Sequence, residues 1–516
     1  MDSPAWQVEE MTITKLHELL RVDPTIGPEL VNHYLSTIKR QDGTLKALIG
    51  INNAALETAM EKATETLTFN QRNRTYPPLH SVPIILKDNY CTTDLPTSAG
   101  VKALRNLRTK ADSEVVSRLR AAGAIILAKA NLHKFALQGI TLSSLGGQTL
   151  NPYDKTRTPG GSSGGTGAAL AANFGLAGCG TDTMNSLRSP ASACGVVGFR
   201  PSTGRVSCVG IVPVSQRQDM AGPMGKSVGD VRILYEVMKG PEEVNGDFVQ
   251  ESKMKRGRQV RIGVLEAYFH PEIQAEGSVQ SEHIAENRIV QDIIRSSLDS
   301  IQEQDADFNL VSVAPSSHPD WSYGTLFAKG DTQAFEFKHY LDEFLQSPLV
   351  SSTPHRSLKS IAQSGEFDLQ AMTHVFSAAL QDPETFSLTS EAYRSRLEYV
   401  AALKESVNQC FERYDIDALV YPHQRHLPVK IGVKKQSGRN GVLAALTGRP
   451  AICIPGRCYV ELMGMTAGRS PQTASAVLGI PIGLELMGRR WGDDELLEIA
   501  ERAEGILKGR VAPAPS

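Results

Sequence analysis

The sequence has no excess of charge of either sign. Its 516 residues contain 54 Lys and Arg against 56 Asp and Glu, which gives a formal net charge of −2 at pH 7. Binding to nucleic acid or to an anionic membrane surface depends on clustered positive charge. We therefore expect no directly bound nucleic acid and no membrane partner.

Cysteine is scarce, and long apolar runs are missing. The seven cysteines are too few and too irregularly spaced for a disulfide framework, and they include no Cys-x-x-Cys pair, so a reducing compartment fits better. The N-terminal MDSPAWQVEEM is acidic and lacks the apolar core of a signal peptide. The uncharged run at 158–181 holds too many Gly, Ser and Thr residues for a membrane span. We expect a cytoplasmic protein.

Motifs for metal and phosphate binding are also missing. The histidines show no metal-ligand spacing such as His-Glu-x-x-His. Gly225, Lys226 and Ser227 look like the end of a phosphate-binding loop, but Met220 stands where its first glycine is required. We expect a polar turn there, before a helix at 229–238, and neither a metal nor an organic cofactor.

What the sequence does contain is an alternation of apolar runs and amphipathic segments. From residue 82 onward VPIIL is followed by SEVVSRLRAAG and AIILAK, and then by a further helix predicted from Asn131. Near the end PAICIP follows GVLAAL, and DDELLEIAERAEGIL follows IPIGLELMG. The chain is 41% hydrophobic and can bury a large core. This alternation predicts an α/β fold.

The motifs favour one large unit over residues 1–516. We expect a helical N-terminal part at 1–75, a core at 80–230, and the remainder of the sheet with its covering helices at 259–510. The polar stretch 239–258 predicts an exposed connection.

The segment TPGGSSGGTGAALAANFGLAGCGTDTMNSLR at 158–188 concentrates glycine, serine and threonine. Gly161 to Gly165 match the pattern of a nucleophile elbow centred on Ser163, but the preceding NPYDKTRTPG makes a poor strand. A flexible linker would not carry the apolar pattern that follows. We expect glycine to allow positive φ and close approach of the backbone, and the alanines between 168 and 172 to let a helix pack closely on the sheet.

Three residues in and before this segment can carry nucleophilic chemistry. Lys87 follows VPIIL, which puts its ammonium at the C-terminal edge of a strand, where α/β proteins usually have their sites. Ser162 lies in the Gly-rich loop and Ser186 lies beyond it. A lysine acts as a base only when burial or its neighbours lower its pKa. Serine and lysine together are a known alternative to the Ser-His-Asp triad.

These residues belong to a longer pattern. Residues 158–207, TPGGSSGGTGAALAANFGLAGCGTDTMNSLRSPASACGVVGFRPSTGRVS, together with PLHSVPIILKDNY around Lys87, resemble the signature of the amidase signature family. Weaker similarity extends the resemblance over nearly the whole chain. It implies a large mixed β-sheet flanked by α-helices on both faces.

The resemblance implies a Ser-cisSer-Lys triad. Ser186 falls on the nucleophile, Ser162 on the serine that follows a cis peptide bond and relays the proton, and Lys87 on the base. It also implies an oxyanion hole formed by the backbone N–H groups of Thr183, Met184, Asn185 and Ser186. Among the neighbouring residues, it implies that Asp182 and Arg188 support the loop and that Ser163 hydrogen-bonds the lysine.

Two departures from the family pattern affect the substrate pocket. Many members have Gly-Gly before the nucleophile, whereas this chain has Met184 and Asn185, whose side chains are predicted to line or narrow the acyl pocket. In YPHQRHLP, His423 falls where the family often has a segment near the substrate, and either substrate contact or packing within the loop fits it. Cys179, Cys194 and Cys208 are interpreted as small buried residues rather than nucleophiles.

The expected activity is hydrolysis of a small or medium-sized carboxylic amide through an acyl-serine, with a small-molecule substrate and no cofactor. The sequence leaves open whether the protein forms a homodimer. Three alternatives stand beside this prediction: the glutaminase subunit of a tRNA-dependent amidotransferase, which needs partner chains; acyl transfer to an amine or alcohol; and a catalytically silent amide-binding protein.

Overall fold

Helices and strands alternate along the chain, as the sequence pattern predicts. The computed structural model describes residues 8–240, 259–270, 281–314, 319–366, 374–382, 384–457 and 479–514. The connection predicted at 239–258 lies outside the described residues from position 241 onward.

The described helices are α1 (Ile13–Val22), α2 (Ile26–Leu45), α3 (Ala55–Gln71), α4 (Glu114–Ala121), α5 (Gly164–Ala171), α6 (Arg188–Cys194), α7 (Val228–Met238), α8 (Ser281–Gln304), α9 (Tyr323–Gly330), α10 (Gln333–Gln346), α11 (Leu358–Gln363), α12 (His374–Gln381), α13 (Glu391–Arg413), α14 (Val442–Thr447) and α15 (Asp493–Leu507). The strands are β1 (Leu48–Ile51), β2 (Pro83–Lys87), β3 (Arg108–Thr109), β4 (Ile125–Ala130), β5 (Leu142–Ser143), β6 (Gly147–Gln148), β7 (Ala177–Asp182), β8 (Val197–Arg200), β9 (Met220–Gly225), β10 (Val260–Leu265), β11 (Phe308–Val313), β12 (Val350–Ser352), β13 (Ala418–Pro422), β14 (Ala451–Pro455) and β15 (Gly483–Gly488). None of the helices in the described ranges combines the length and apolar character needed to cross a bilayer.

A mixed sheet of eleven strands forms the centre of the described structure. Its order is β1-β4-β2-β7-β9-β8-β14-β15-β13-β10-β11. β2 pairs in parallel with β4 and β7, whereas β7 pairs antiparallel with β9 and β14 pairs antiparallel with β15. Every residue of β2, β4 and β7 is buried, which explains the nearly continuous apolar runs of β2 and β4. The predicted α/β fold with a large mixed sheet is confirmed.

The small residues of the Gly-rich segment bring α5 close to the sheet. All eight residues of this helix are buried. A Cβ on Gly178 of β7 would come within 2.7 Å of Thr166 on the helix, and a Cβ on Gly165 would overlap the carbonyl oxygen of Asn131. The predicted close packing of this helix on the sheet is therefore observed.

The helix predicted from Asn131 is wrong, and the segment that looked like the end of a phosphate-binding loop is the start of a helix. In place of a helix from Asn131, the chain forms a short 3-10 turn at Lys134–Ala136, because Phe135 and Ala136 have left-handed φ angles of 52° and 59°. Ser227 caps α7 by accepting a hydrogen bond from Asp230 N, as expected of a polar turn before a helix.

Candidate active site

Lys87 is the last residue of β2 and is fully buried. Its Nζ lies 2.7 Å from Ser162 Oγ and 2.8 Å from Thr181 Oγ1. Burial lowers the pKa of Lys87 to about 7, although the carboxylates of Asp182 and Asp219 oppose that shift. A substantial fraction of this amine is therefore neutral near pH 7, as a general base requires.

Ser162 lies in the loop that leads into α5. The peptide bond between Gly161 and Ser162 is cis. Gly160 has a φ of +73°, and a Cβ there would come within 2.7 Å of the Ser189 carbonyl oxygen. Only glycine combines this backbone conformation with so close an approach, so it allows the Ser162 loop to lie directly against α6.

Ser186 follows β7, in the turn that leads into α6. Its carbonyl oxygen accepts a hydrogen bond from Ser163 N at 3.2 Å, which ties this turn to the Ser162 loop. Ser186 lines a cavity of about 240 Å³, whereas Lys87 and Ser162 are fully buried and are not among its described lining residues. Within the described residues the Ser186 hydroxyl has no hydrogen-bond partner, so it is the group of the three that a ligand in the cavity meets.

The partner of the buried lysine differs from the prediction. Ser163 Oγ donates to the carbonyl oxygen of Thr181 at 3.1 Å and accepts from its N–H at 3.3 Å. Thr181 Oγ1, which also accepts from Asn89 Nδ2 at 3.0 Å, takes the position next to Lys87. Ser163 therefore supports the lysine through Thr181. The sequence gives no signal for this, because a threonine on a buried strand can face either side of the sheet.

Asp182 is the centre of a fully buried ionic cluster. Its carboxylate accepts hydrogen bonds from Arg188 Nε and Nη2, both at 3.1 Å, and from Arg200 Nη1 at 3.0 Å. Leu187 N also donates to it at 3.1 Å. Burial alone would raise the pKa of Asp182, but the two guanidinium groups lower it to about 2. The carboxylate is therefore ionised, and it fixes the chain directly after Ser186.

Arg188 connects this cluster to the turn before Ser186. Its Nη2 donates to the Met184 carbonyl oxygen at 2.8 Å, and its Nη1 donates to the carbonyl oxygen of Gly441 at 2.9 Å and to Glu485. Glu485, a fully buried residue of β15, is a supporting residue that the sequence reasoning missed. A signal was present, because a glutamate within the apolar run IPIGLELMG requires a buried partner.

The turn over 183–186 presents backbone donors at the cavity. No described residue accepts a hydrogen bond from the N–H groups of Met184, Asn185 or Ser186. The Thr183 side chain is fixed by Asp219, because its hydroxyl donates a hydrogen bond to Asp219 Oδ1 at 2.5 Å. This arrangement leaves a set of N–H groups free to bind an oxyanion.

Met184 and Asn185 are among the residues that line the cavity. Met184 Sδ lies 2.9 Å from Gln218 Nε2. Asn185 Oδ1 accepts a hydrogen bond from Arg439 Nη1 at 3.0 Å. Both side chains therefore have fixed positions beside Ser186.

His423 is not brought to this cavity. It is fully buried, and its Nδ1 lies 2.5 Å from Glu485 Oε2. Burial lowers the pKa of His423, so the neutral ring donates its Nδ1 proton to the glutamate. Of the two interpretations that the sequence left open, packing within the loop describes this residue, because its ring supports Glu485 and the described cavity lining does not include it.

Within the described residues, the cysteines of the signature segment are unsuited to act as nucleophiles, and no cluster of metal ligands is present. Cys179 and Cys194 are buried and free, as expected, whereas Cys208 is free but only half-buried. Burial raises the pKa of the Cys179 and Cys194 thiols, which makes them poor nucleophiles. Within the described ranges, no group of three or more His, Cys, Asp or Glu side chains is arranged to hold a metal ion.

Comparison with known proteins is consistent with this geometry. A glutamyl-tRNA(Gln) amidotransferase subunit of Zea mays is 29% identical over 530 residues, covering 96% of this chain and 89% of that protein. The corresponding amidotransferase subunit of Symbiobacterium thermophilum is 30% identical over 509 residues, covering 96% of this chain and 97% of that protein. The structure of peptide amidase from Stenotrophomonas maltophilia superposes with a TM-score of 0.78 at 27% identity, covering 98% of both chains.

The profile of one protein family, described as Amidase, matches residues 29–497. This match includes the strand that ends in Lys87 and the whole segment from Ser162 to Ser186. Because it spans most of the sequence, the chain belongs to the amidase family, as its signature predicts.

Proposed function

We propose that this protein hydrolyses a linear carboxylic amide through an acyl-enzyme on Ser186. Neutral Lys87 accepts the Ser162 proton as Ser162 accepts the Ser186 proton, and Ser186 Oγ attacks the carbonyl carbon. The proton then returns from Lys87 through Ser162 to the leaving amine. Water attacks the acyl-serine and releases the acid.

The observation that carries this proposal is the buried pair of Lys87 and Ser162. Its 2.7 Å separation permits direct proton transfer. The pKa of Lys87, lowered to about 7 by burial, matches a base that works near neutral pH. An ordinary solvated lysine, with a pKa near 10.4, would be protonated almost all the time.

The negative charge of the tetrahedral intermediate needs a separate partner. The N–H groups of Thr183, Met184, Asn185 and Ser186 supply it in this mechanism, and each donor contributes about 3–4 kcal/mol in hydrolases where such a donor has been removed. Arg188 holds this turn through the Met184 carbonyl oxygen. It acts as a positioning residue, because it touches the loop and not the reacting atoms.

A second candidate function is favoured by the comparisons. Relatives of similar length are named as a subunit of glutamyl-tRNA(Gln) amidotransferase, and such a subunit works with partner chains. In that case the protein would hydrolyse glutamine and deliver ammonia to a partner. It would then show little amidase activity alone and would copurify with other subunits.

Ammonia release separates these functions. The purified protein is incubated with a panel of primary amides, including glutamine, and compared with Ser186→Ala, Lys87→Ala and the matched control Ser189→Ala, a buried serine three residues further on. We expect hydrolysis by the wild type and the control, and loss of at least about 100-fold in the other two. Activity on glutamine alone, and only with partner chains present, would favour the amidotransferase function.

A further inference from the structure

The cavity at Ser186 carries positive charge that the proposed reaction does not use. Arg439 and Lys435 both line it. Among the described residues of the lining there is no aspartate and no glutamate to balance them, and neither cation forms an ion pair with a described residue. A cavity of this kind attracts an anionic ligand.

Three buried polar atoms around the same cavity have no hydrogen-bond partner among the described residues. They are Asn185 Nδ2, Arg439 Nε and Gln436 Oε1. Asn185 is 1% exposed and Gln436 is 4% exposed, so solvent does not compensate them freely. Buried polar groups are nearly always paired in folded proteins, so these three atoms are available to hydrogen-bond a ligand or water that enters the cavity. Two of the three atoms are donors, as a carboxylate requires.

The guanidinium of Arg439 is held close to the nucleophile. Its Nη1 donates to Asn185 Oδ1 at 3.0 Å, and Asn185 immediately precedes Ser186. A Cβ on Gly139 would overlap this guanidinium, so the glycine provides its space. Arg439 therefore has a fixed place beside the acyl group of a bound substrate.

Resting on the proposed function, we propose that the acyl part of the substrate carries a carboxylate, which Arg439 binds together with Asn185 Nδ2, with Lys435 adding charge at the cavity. The substrate class is the monoamide of a dicarboxylic acid. Arginine suits this role because its planar fork binds a carboxylate through two N–H groups. The apolar side chains of Met184, Phe327 and Val442, which line the same cavity, contact the methylene chain.

The same lining disfavours glutamine. Glutamine also has a carboxylate, but its ammonium group requires a carboxylate or several acceptors nearby. Among the described lining residues the charged groups are cationic and none is a carboxylate, so an ammonium group would meet only neutral acceptors, such as the unpartnered Gln436 Oε1. A monoamide without an ammonium group therefore fits this cavity better.

Kinetics on matched substrates test the proposal. We compare succinamic, glutaramic and adipamic acids with the unsubstituted aliphatic amides of the same chain length, and with glutamine. The wild type is expected to favour the best carboxylate substrate by about 10- to 100-fold in kcat/KM, the range of a charge-assisted hydrogen bond. Arg439→Met should remove this preference, mainly through KM, and Arg439→Lys should restore part of it. Equal values for acid and neutral substrates, or a preference for glutamine, would overturn the proposal.

A binding measurement separates this inference from the proposed function. Calorimetry of glutarate against butyrate needs no turnover. We expect glutarate to bind at least about tenfold more tightly than butyrate. Arg439→Met should weaken glutarate binding, and Lys435→Met should weaken it to a smaller extent. Because the Lys435 side chain is exposed, its replacement is not expected to affect folding. If glutarate binds in this way but amides are not hydrolysed, the proposed amidase function is contradicted and the carboxylate site is not. If amides are hydrolysed but both acids bind equally, only the carboxylate site is contradicted.

Discussion

Lys87 Nζ lies 2.7 Å from Ser162 Oγ, and both side chains are fully buried. Burial makes such a lysine lose its proton more easily, and its pKa falls to about 7. Because the base must be neutral, kcat/KM should rise about tenfold per pH unit below pH 7 and level off above it. A pH profile between 5 and 9 measures this. A profile that stays flat through pH 7 would contradict a lysine base with this pKa.

Thr181 is predicted to set the position and the pKa of this lysine. Its Oγ1 accepts a hydrogen bond from Lys87 Nζ at 2.8 Å and so stabilises the protonated amine. Thr181→Val should lower the pKa of Lys87 further, moving the rising limb of the profile to lower pH, and reduce kcat about tenfold or more because the amine is less well oriented. Thr181→Ser keeps the hydroxyl and should restore both properties. Identical profiles for the two variants would rule out this role.

Arg188 is predicted to contribute strongly to stability. Arg188→Met leaves Asp182 and Glu485 buried with part of their charge unpaired, which costs about 3–5 kcal/mol in the free energy of unfolding. Urea denaturation measures it. The matched control is Arg232→Met, which removes a half-exposed pair with Glu501 at 3.0 Å and should cost about 1 kcal/mol or less. Equal losses in the two variants would contradict a structural role for the cluster.

The ionised state of Asp182 predicts how the fold responds to acid. Its folded pKa of about 2 lies below its ordinary value of 3.8, so its contribution to stability is complete above pH 4 and is lost as the pH falls toward 2. Unfolding measured by urea from pH 6 to pH 2 should show this loss in the wild type. Asp182→Asn should be less stable at pH 6 and should approach the wild type as the pH falls. A difference between the two that does not change with pH would contradict the assignment.

Met184 is predicted to limit the size of the acyl group. Its side chain lines the cavity beside Ser186, so Met184→Ala enlarges the pocket. The ratio of kcat/KM for branched or aromatic amides to that for acetamide should rise about tenfold, in the range that one or two methylene groups are worth. The control Met60→Ala, at a residue 61% exposed on α3, should leave the ratio unchanged. An unchanged ratio in Met184→Ala would show that the acyl group lies elsewhere.

Much of the fold follows from local patterns. The run VPIIL predicts a buried strand, and β2 begins at Pro83 and ends at Lys87. The small residues of the 158–188 segment predict a helix that packs closely, and α5 is buried at every position. These features are visible in the sequence because strand burial and helix packing depend on residues that are neighbours along the chain.

The supporting contacts depend on residues far apart in the sequence. Arg188 contacts Glu485 across 297 positions, and Arg439 contacts Asn185 across 254 positions. No spacing rule connects such residues, because the order of strands in the sheet decides which of them meet. The helix predicted from Asn131 failed for a related reason: Phe135 N donates to the Ala99 carbonyl oxygen, and this distant contact replaces the hydrogen bonds of a helix.

Labelling with a small fluorophosphonate tests the central claim most directly, because it requires no knowledge of the substrate. Intact mass and peptide mapping are measured on the wild type, Lys87→Ala and the control Ser189→Ala. We expect one adduct on Ser186 in the wild type and the control, formed at least about 100-fold more slowly in Lys87→Ala. An adduct on Ser163, or no adduct on folded protein, would contradict Ser186 as a nucleophile activated by the Lys87 and Ser162 pair.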